Sequence, residues 1–218
     1  MKGKAPLYFV LVLLILPVSV FGQKDYHNGY IITNKNDTLN GRIKDRKPPP
    51  FGKLFKKVRF KHKNIIARKY GPEKLKGYKQ GNDQYESLWI EVSNSFFRET
   101  YLSIPNSGEK RFLKVIVKGY LTYYKWEYED DESDYIWSKP LFKREDEPSL
   151  IRVTQGVLGL KKKSLAKYFR DCPALVDKIE NGELKDPVEI ANYYNDWKAE
   201  NSQKGSLNNS KECYVRTS

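Results

Sequence analysis

An acidic run in the middle of the chain, "WEYEDDESDY" (126–135), contains the first residues whose types and spacing could do chemistry. On a strand, Glu127, Glu129 and Asp131 would project from one face, because side chains alternate between faces. Three carboxylates on one face could hold a divalent cation, which prefers oxygen ligands. A solvated hairpin tip accounts for the same charges. We therefore assign no metal site and no cofactor, and keep these three residues as the candidates should a cation bind.

Carboxylate pairs also carry out the acid–base chemistry of glycosidases. Nothing in the acidic run indicates that one carboxyl has a raised pKa, so a hydrolase of unrecognised type stays only an alternative. The chain contains no H-E-x-x-H, C-x-x-C or G-x-S-x-G motif. A glycine-rich turn at Gly156 resembles a phosphate loop, but Lys161 stands where the second glycine is needed. We therefore expect no enzymatic activity.

The two cysteines, Cys172 and Cys213, have two interpretations. In an exported protein an even number of cysteines favours a disulfide. This bridge would close a loop of about forty residues and contribute roughly 4 kcal/mol. Alternatively, Cys172 is a buried thiol and Cys213 a free one. A thiol enzyme pairing Cys172 with His62 is conceivable, but Pro173 indicates a helix start, which explains Cys172 without catalysis.

Charge is distributed unevenly along the chain, whose net charge is +13. Residues 42–79 contain fifteen Lys or Arg against the acids Asp45 and Glu73, whereas residues 126–147 contain nine acids. If the fold does not bring these blocks together, the basic block attracts polyanions. Anionic lipid, lipopolysaccharide or acidic glycan would then be the partner, and we expect no nucleic acid. The candidate basic binding patch consists of Lys53, Lys56, Lys57, Arg59, Lys61, Lys63, Arg68 and Lys69.

The N-terminus predicts export. Residues 1–22 form a signal peptide, with Lys2 and Lys4 before an apolar stretch and the small residues Val20 and Gly22 before the cleavage point. A membrane anchor is the alternative. The apolar stretch is shorter than the ~20 residues that span a bilayer, which disfavours this alternative. We expect the mature chain to have no transmembrane span and to reside in the periplasm, at the cell surface or outside the cell.

Residues 23–156 are predicted to form a β-rich domain. The segment "RFLKVIVKGYLTYYKW" (111–126) alternates apolar and polar residues at the period of a strand. Several other short alternating segments are separated by polar turns. This pattern indicates a mostly antiparallel body, either a sheet, a sandwich or an open barrel.

The opening segment "GYIITNKNDTLNGRIK" (29–44) is predicted to be a hairpin. Its Asn and Asp residues suggest a calcium loop, but Lys47 falls at the twelfth position, where a glutamate is needed. Asn and Asp are also typical of tight turns.

Residues 157–200 change to the period of helices. Asn181-Gly182 is a stop signal, and Asp186, Pro187 and Glu189 form a helix start with an Asp cap. We predict two or three short helices packed on the β domain, hence an α+β fold, followed by a frayed polar tail over residues 201–218.

Four segments together resemble a family of uncharacterised secreted proteins of Bacteroidota-type bacteria. They are "GYIITNKNDTLNGRI", "YGPEKLKGYKQGNDQY", "RFLKVIVKGYLTYYKW" and "LAKYFRDCPALVDKIENGELKD", the last containing an F-x-D-C-P signature at Phe169, Asp171, Cys172 and Pro173. The resemblance implies an export signal, a β-rich body and a helical C-terminal segment, and supports the Cys172–Cys213 bridge. It implies no activity and no catalytic residue. Our expectation is an exported, non-catalytic cell-envelope protein that acts as a binding or scaffold module.

Overall fold

The computed structural model describes residues 26–47, 54–63, 66–95, 98–130 and 133–215. The predicted signal peptide (1–22), the basic-patch residue Lys53 and the acidic residue Asp131 lie outside this part of the chain. The side chains at 95, 98, 130, 133–134, 157 and 204–215 are likewise outside the description.

The described chain forms eleven antiparallel strands. They are β1 (His27–Thr33), β2 (Thr38–Arg46), β3 (Leu54–Lys61), β4 (Arg68–Tyr70), β5 (Leu75–Gln80), β6 (Asp83–Ser95), β7 (Arg98–Leu102), β8 (Glu109–Val117), β9 (Leu121–Asp130), β10 (Ser133–Arg144) and β11 (Ser149–Arg152). The hairpin predicted at 29–44 is confirmed: Ile31 pairs with Leu39, and Asn36 adopts a φ of 70° in the turn. The amide N–H of Thr33 donates to the Asp37 carbonyl at 2.9 Å.

Six of the strands close into a barrel in the order β6-β7-β11-β10-β9-β8, with β8 returning to β6. The other five extend from β6 as a sheet in the order β5-β1-β2-β3-β4. The 13-residue strand β6 belongs to both parts: residues 83–86 pair with β5 and residues 91–95 with β7, while β8 runs along its other edge. The predicted antiparallel α+β fold is confirmed, and among the predicted architectures the barrel is closed rather than open.

The barrel interior contains one buried apolar layer, to which each barrel strand contributes one residue. These residues are Ile90, Tyr101, Leu113, Tyr124, Leu141 and Leu150. A second apolar cluster lies between the five-stranded sheet and the outer wall of the barrel. Within it, Tyr78 of β5 stacks on Tyr85 of β6 at a centroid distance of 4.5 Å, and Phe112 of β8 meets Tyr78 edge-on. Each fully buried apolar side chain contributes about 1.5–3 kcal/mol relative to exposure.

Three helices cover another part of the barrel wall: α1 (Lys162–Tyr168), α2 (Pro173–Glu180) and α3 (Pro187–Val215). Their buried side chains, such as Phe169 and Tyr194, form a third cluster with Phe142 of β10. The predicted cap is confirmed, because Asp186 Oδ1 accepts the Val188 amide N–H at 2.8 Å. Gly182, just after α2, has the φ of +76° expected at a helix stop.

The helix α3 continues into the segment predicted as a polar tail and ends at Val215. The polar composition of residues 201–215 lacks the apolar stripe from which a helix is predicted. Within the described residues, no helix has both the length and the apolar character needed to cross a membrane.

Candidate functional site

The acidic candidates Glu127 and Glu129 are occupied by contacts within the protein. Glu127 accepts Arg46 Nη2 at 2.9 Å and the Tyr85 hydroxyl at 3.3 Å, and Glu129 accepts the Leu54 amide N–H. These contacts fasten β2 and β3 to the outer wall of the barrel. The described residues contain no group of three metal-ligating side chains.

Arg46 lies at the centre of this junction. It also pairs with the buried carboxylate of Asp45, which accepts the Tyr78 hydroxyl at 3.1 Å. Burial alone would lower the pKa of Arg46, but the hydrogen bonds to Asp45 and Glu127 hold that pKa above its ordinary value. Arg46, Asp45 and Glu127 therefore form a charged contact that joins the basic block to the acidic block and has a structural role.

The other basic residues of β2, β3 and β4 gather on the outer face of the five-stranded sheet. On β3, Arg59 and Lys61 alternate with Val58 and Phe60, which face the second apolar cluster. Strand register then places Lys44, Arg59 and Lys69 side by side across three strands, with Arg42 beside Lys61. We call the five residues Arg42, Lys44, Arg59, Lys61 and Lys69 the basic face.

The predicted basic patch is only partly brought together by the fold. Arg59, Lys61 and Lys69 belong to the basic face, and the exposed Lys57 adjoins it on β3. Lys56 and Arg68 are also exposed but stand at strand positions of the opposite parity, and Lys63 follows the end of β3. No acidic side chain lies within ion-pair distance of Lys57, Arg59, Lys61 or Lys69 in the described part of the chain. The Arg59 guanidinium lies 4.2 Å from the centroid of the Phe55 ring.

Cys172 is a free, buried thiol in the third cluster, so the predicted bridge to Cys213 is not formed in the structure. Ala191 of α3 packs in the same cluster, and a helix rises about 1.5 Å per residue, which places the Cys213 backbone roughly 30 Å farther along. A disulfide needs Cα atoms within about 7 Å. Burial raises the pKa of Cys172, which opposes thiolate formation.

The imagined Cys172–His62 pair is not brought together either. His62 Nδ1 lies 2.8 Å from the Asn40 carbonyl oxygen of β2, and the His62 ring stacks on Phe60 of the second apolar cluster at a centroid distance of 6.3 Å. Cys172 belongs to the cluster beneath the helices. The two residues therefore serve separate parts of the fold.

One end of the barrel contains a set of residues that the sequence did not single out. Each of its five residues lies two positions from the apolar-layer residue of its own strand. They are Glu99 on β7, Arg111 on β8, Trp126 on β9, Lys139 on β10 and Arg152 on β11. Because side chains alternate, all five project into the barrel toward one end. We call this set the barrel mouth. Only strand order and register reveal it, since its members span more than fifty residues of sequence.

Contacts link the members of the barrel mouth to one another. Lys139 Nζ lies 2.9 Å from Glu99 Oε1 and 5.4 Å from the centroid of the Trp126 ring. The Arg111 guanidinium lies 5.3 Å from the Trp126 centroid. Desolvation alone would raise the pKa of Glu99, but hydrogen bonds from Tyr101 and Lys139 lower it, so the carboxylate is charged at neutral pH.

Comparison of the chain with protein-family models, with curated proteins and with solved structures finds no match.

Proposed function

We propose that the protein is an exported, non-catalytic binding protein of the cell envelope whose basic face holds a polyanion. The observation that carries the proposal is the row of cations across β2, β3 and β4. Neighbouring strands lie about 4.8 Å apart, so the row Lys44, Arg59 and Lys69 is dense in positive charge.

The cost of this arrangement supports a binding role. Like charges directly opposite each other on neighbouring strands destabilise a sheet. Arg59 stands between Lys44 and Lys69 in register, and Lys61 stands beside Arg42. A bound polyanion would remove this repulsion, because each negative group could lie between two cations.

The ion pair that links the described parts of the acidic and basic blocks lies away from the basic face. This pairing passes through Arg46, which binds Glu127 and stands at the barrel junction rather than on the basic face. Glu147 and Asp146, at the end of the acidic block, bind Arg144 and Tyr120 instead. Arg59, Lys61 and Lys69 of the basic face are therefore positioned to meet an external polyanion.

The hydrolase alternative gains no support from the same geometry. Glu127 and Glu129, its best candidates, accept hydrogen bonds from Arg46 and from the Leu54 backbone. Carboxylates held this way stabilise the packing of two sheets, and neither is left to act on a substrate. Export by residues 1–22, location in the envelope and membership of the uncharacterised secreted family remain part of the proposal and rest on the sequence patterns.

Binding to a soluble polyanion tests the proposal. We expect the mature protein to be retained on immobilised heparin at low salt, to elute as salt rises, and to pass through a column of neutral dextran. Vesicles of phosphatidylcholine with and without about one third phosphatidylglycerol form the second arm, since screening weakens any charge-driven contact with either surface. Failure to bind both heparin and anionic vesicles at low salt would overturn the proposal, as would retention that is indifferent to salt.

A further inference from the structure

The barrel mouth contains an arginine, Arg152, with one buried donor that has no hydrogen-bond partner in the described chain. Arg152 stands opposite Leu141 of the apolar layer, so its side chain enters the barrel. Its Nε atom is buried without a hydrogen-bond partner in the described chain, and Nη1 lies 3.7 Å from Glu99 Oε2, beyond hydrogen-bond distance. Buried polar groups are normally hydrogen-bonded, and an unpaired one is costly.

Glu99 shares its two oxygens among several donors, and its ion pair with Arg152 is longer than a hydrogen bond. Oε1 accepts Lys139 Nζ, and Oε2 accepts the Tyr101 hydroxyl. Arg111 in turn pairs with Glu109 at the rim of the barrel. The barrel mouth thus contains three cations and one carboxylate, Glu99; with Glu109 at the rim counted, one positive charge is in excess beside the unpaired Arg152 Nε.

Aromatic side chains continue from the mouth toward solvent. Trp137 precedes Lys139 on β10 by two residues and lies on the same face of the strand, and Tyr135 comes shortly before Trp137, at a register shift of the strand. Their exposed fractions are 51% and 75%, whereas the Lys139 side chain is only 19% exposed. Trp137 stands opposite Tyr128 of β9, so an aromatic wall leads from the solvent to the cations.

We propose that the barrel mouth binds a small ring-bearing carboxylate, such as a uronic acid. Its carboxylate would accept hydrogen bonds from Arg152, including one from the unpaired Nε, because the planar guanidinium fork matches a carboxylate in two parallel hydrogen bonds. The apolar side of its ring would pack on Trp137, as saturated rings do on aromatic faces. Glu99 and Lys139 would hold the site rigid. This site is separate from the basic face and does not depend on the function proposed for it.

Isothermal titration of the mature protein with sodium glucuronate tests the site, with glucose as the uncharged analogue. We expect saturable binding of one glucuronate and no detectable binding of glucose. Arg152→Gln should weaken glucuronate binding at least tenfold, the range of a lost charge-assisted pair. The matched control, Arg170→Gln on the exposed surface after α1, should bind like the wild type.

A second variant protects the test against misfolding. If the far-UV spectrum shows that Arg152→Gln does not fold, Trp137→Ala, which changes a half-exposed side chain, should weaken binding several-fold while leaving the fold intact. Lys69→Gln on the basic face should leave glucuronate binding unchanged, which separates this site from the polyanion surface. The inference is overturned if wild-type protein does not bind glucuronate, or if a folded Arg152→Gln or Trp137→Ala variant binds it like the wild type.

Discussion

At the scale of single residues, the same spacing of carboxylates can indicate a cation site or a structural contact. Glu127 and Glu129 have the spacing of cation ligands, yet both are used to join the sheet to the barrel. The sequence could show that they share a strand face. It could not show that Arg46, more than eighty residues earlier in the chain, reaches that face, because long-range register is not encoded in local pattern.

Removing the Glu127 charge should weaken the junction between the five-stranded sheet and the barrel. Glu127→Gln leaves Arg46 with reduced pairing beside the buried Asp45, and we expect the free energy of unfolding to fall by about 1–3 kcal/mol. Urea unfolding followed by far-UV circular dichroism measures this change.

The matched control is Glu183→Gln, which breaks the exposed pair with Lys178. This change should alter the free energy of unfolding much less than Glu127→Gln does, since surface ion pairs contribute little. Equal losses in the two variants would contradict the structural role of Glu127.

Cys172 gives a second prediction at this scale. Because its thiol is buried and free, it should react slowly with a thiol reagent in the native protein and rapidly in urea. Ellman's reagent with and without denaturant measures both rates. The mass of the non-reduced protein provides the check: a loss of two hydrogens would show the Cys172–Cys213 bridge and contradict the free thiol.

Among the elements, the helices were the most predictable part of the fold. Their starts follow from Pro173, Asp186 and Pro187, because capping is a local interaction between neighbours in sequence. The attachment of the helices to the barrel was not predictable. It depends on Arg144 of β10, whose guanidinium lies over the rings of Tyr168 and Tyr194 and pairs with Asp171 at 2.6 Å.

This attachment should depend on acid pH through Asp171. Desolvation opposes the charge of Asp171, but hydrogen bonds from Tyr194 and Arg144 lower its pKa below the ordinary value of 3.8. A lowered pKa in the folded state means that the stabilisation is complete above pH 3.8 and is lost as pH falls through the folded-state pKa. Asp171→Asn should therefore destabilise the protein at pH 7 and reduce its loss of stability below pH 4. Urea midpoints between pH 7 and pH 3 measure this, and identical pH profiles for the two proteins would contradict the assignment.

For the whole molecule, the sequence indicated a β-rich body and a helical end, but not the closure of the barrel. Closure requires β8 to pair with β6 as well as β9, and this pairing joins residues such as Leu88 and Arg111. Alternation of apolar and polar residues identifies a strand without identifying its neighbours. The barrel mouth escaped sequence reasoning for the same reason, whereas most of the basic face was found, because its charges are clustered in sequence.

The distribution of charge is also a property of the whole molecule. Arg46–Glu127 is an ion pair between the basic and acidic blocks in the described structure, and it stands at the barrel junction. The net charge is +13, and part of it is aligned on one sheet face. We therefore expect polyanions to bind at that face rather than at any positively charged part of the surface.

The salt dependence of heparin binding in two matched variants tests this central claim most directly. Arg59→Gln, Lys61→Gln and Lys69→Gln together remove three charges from the basic face, whereas Lys163→Gln, Lys167→Gln and Arg170→Gln remove three exposed charges from α1 and the turn after it. We predict that only the first variant binds weakly, with the slope of log Kd against log salt reduced by about 2–3, roughly 0.7–0.9 per lost contact. Equal slopes and affinities in the two variants would show that net charge alone governs binding and would contradict a specific basic face.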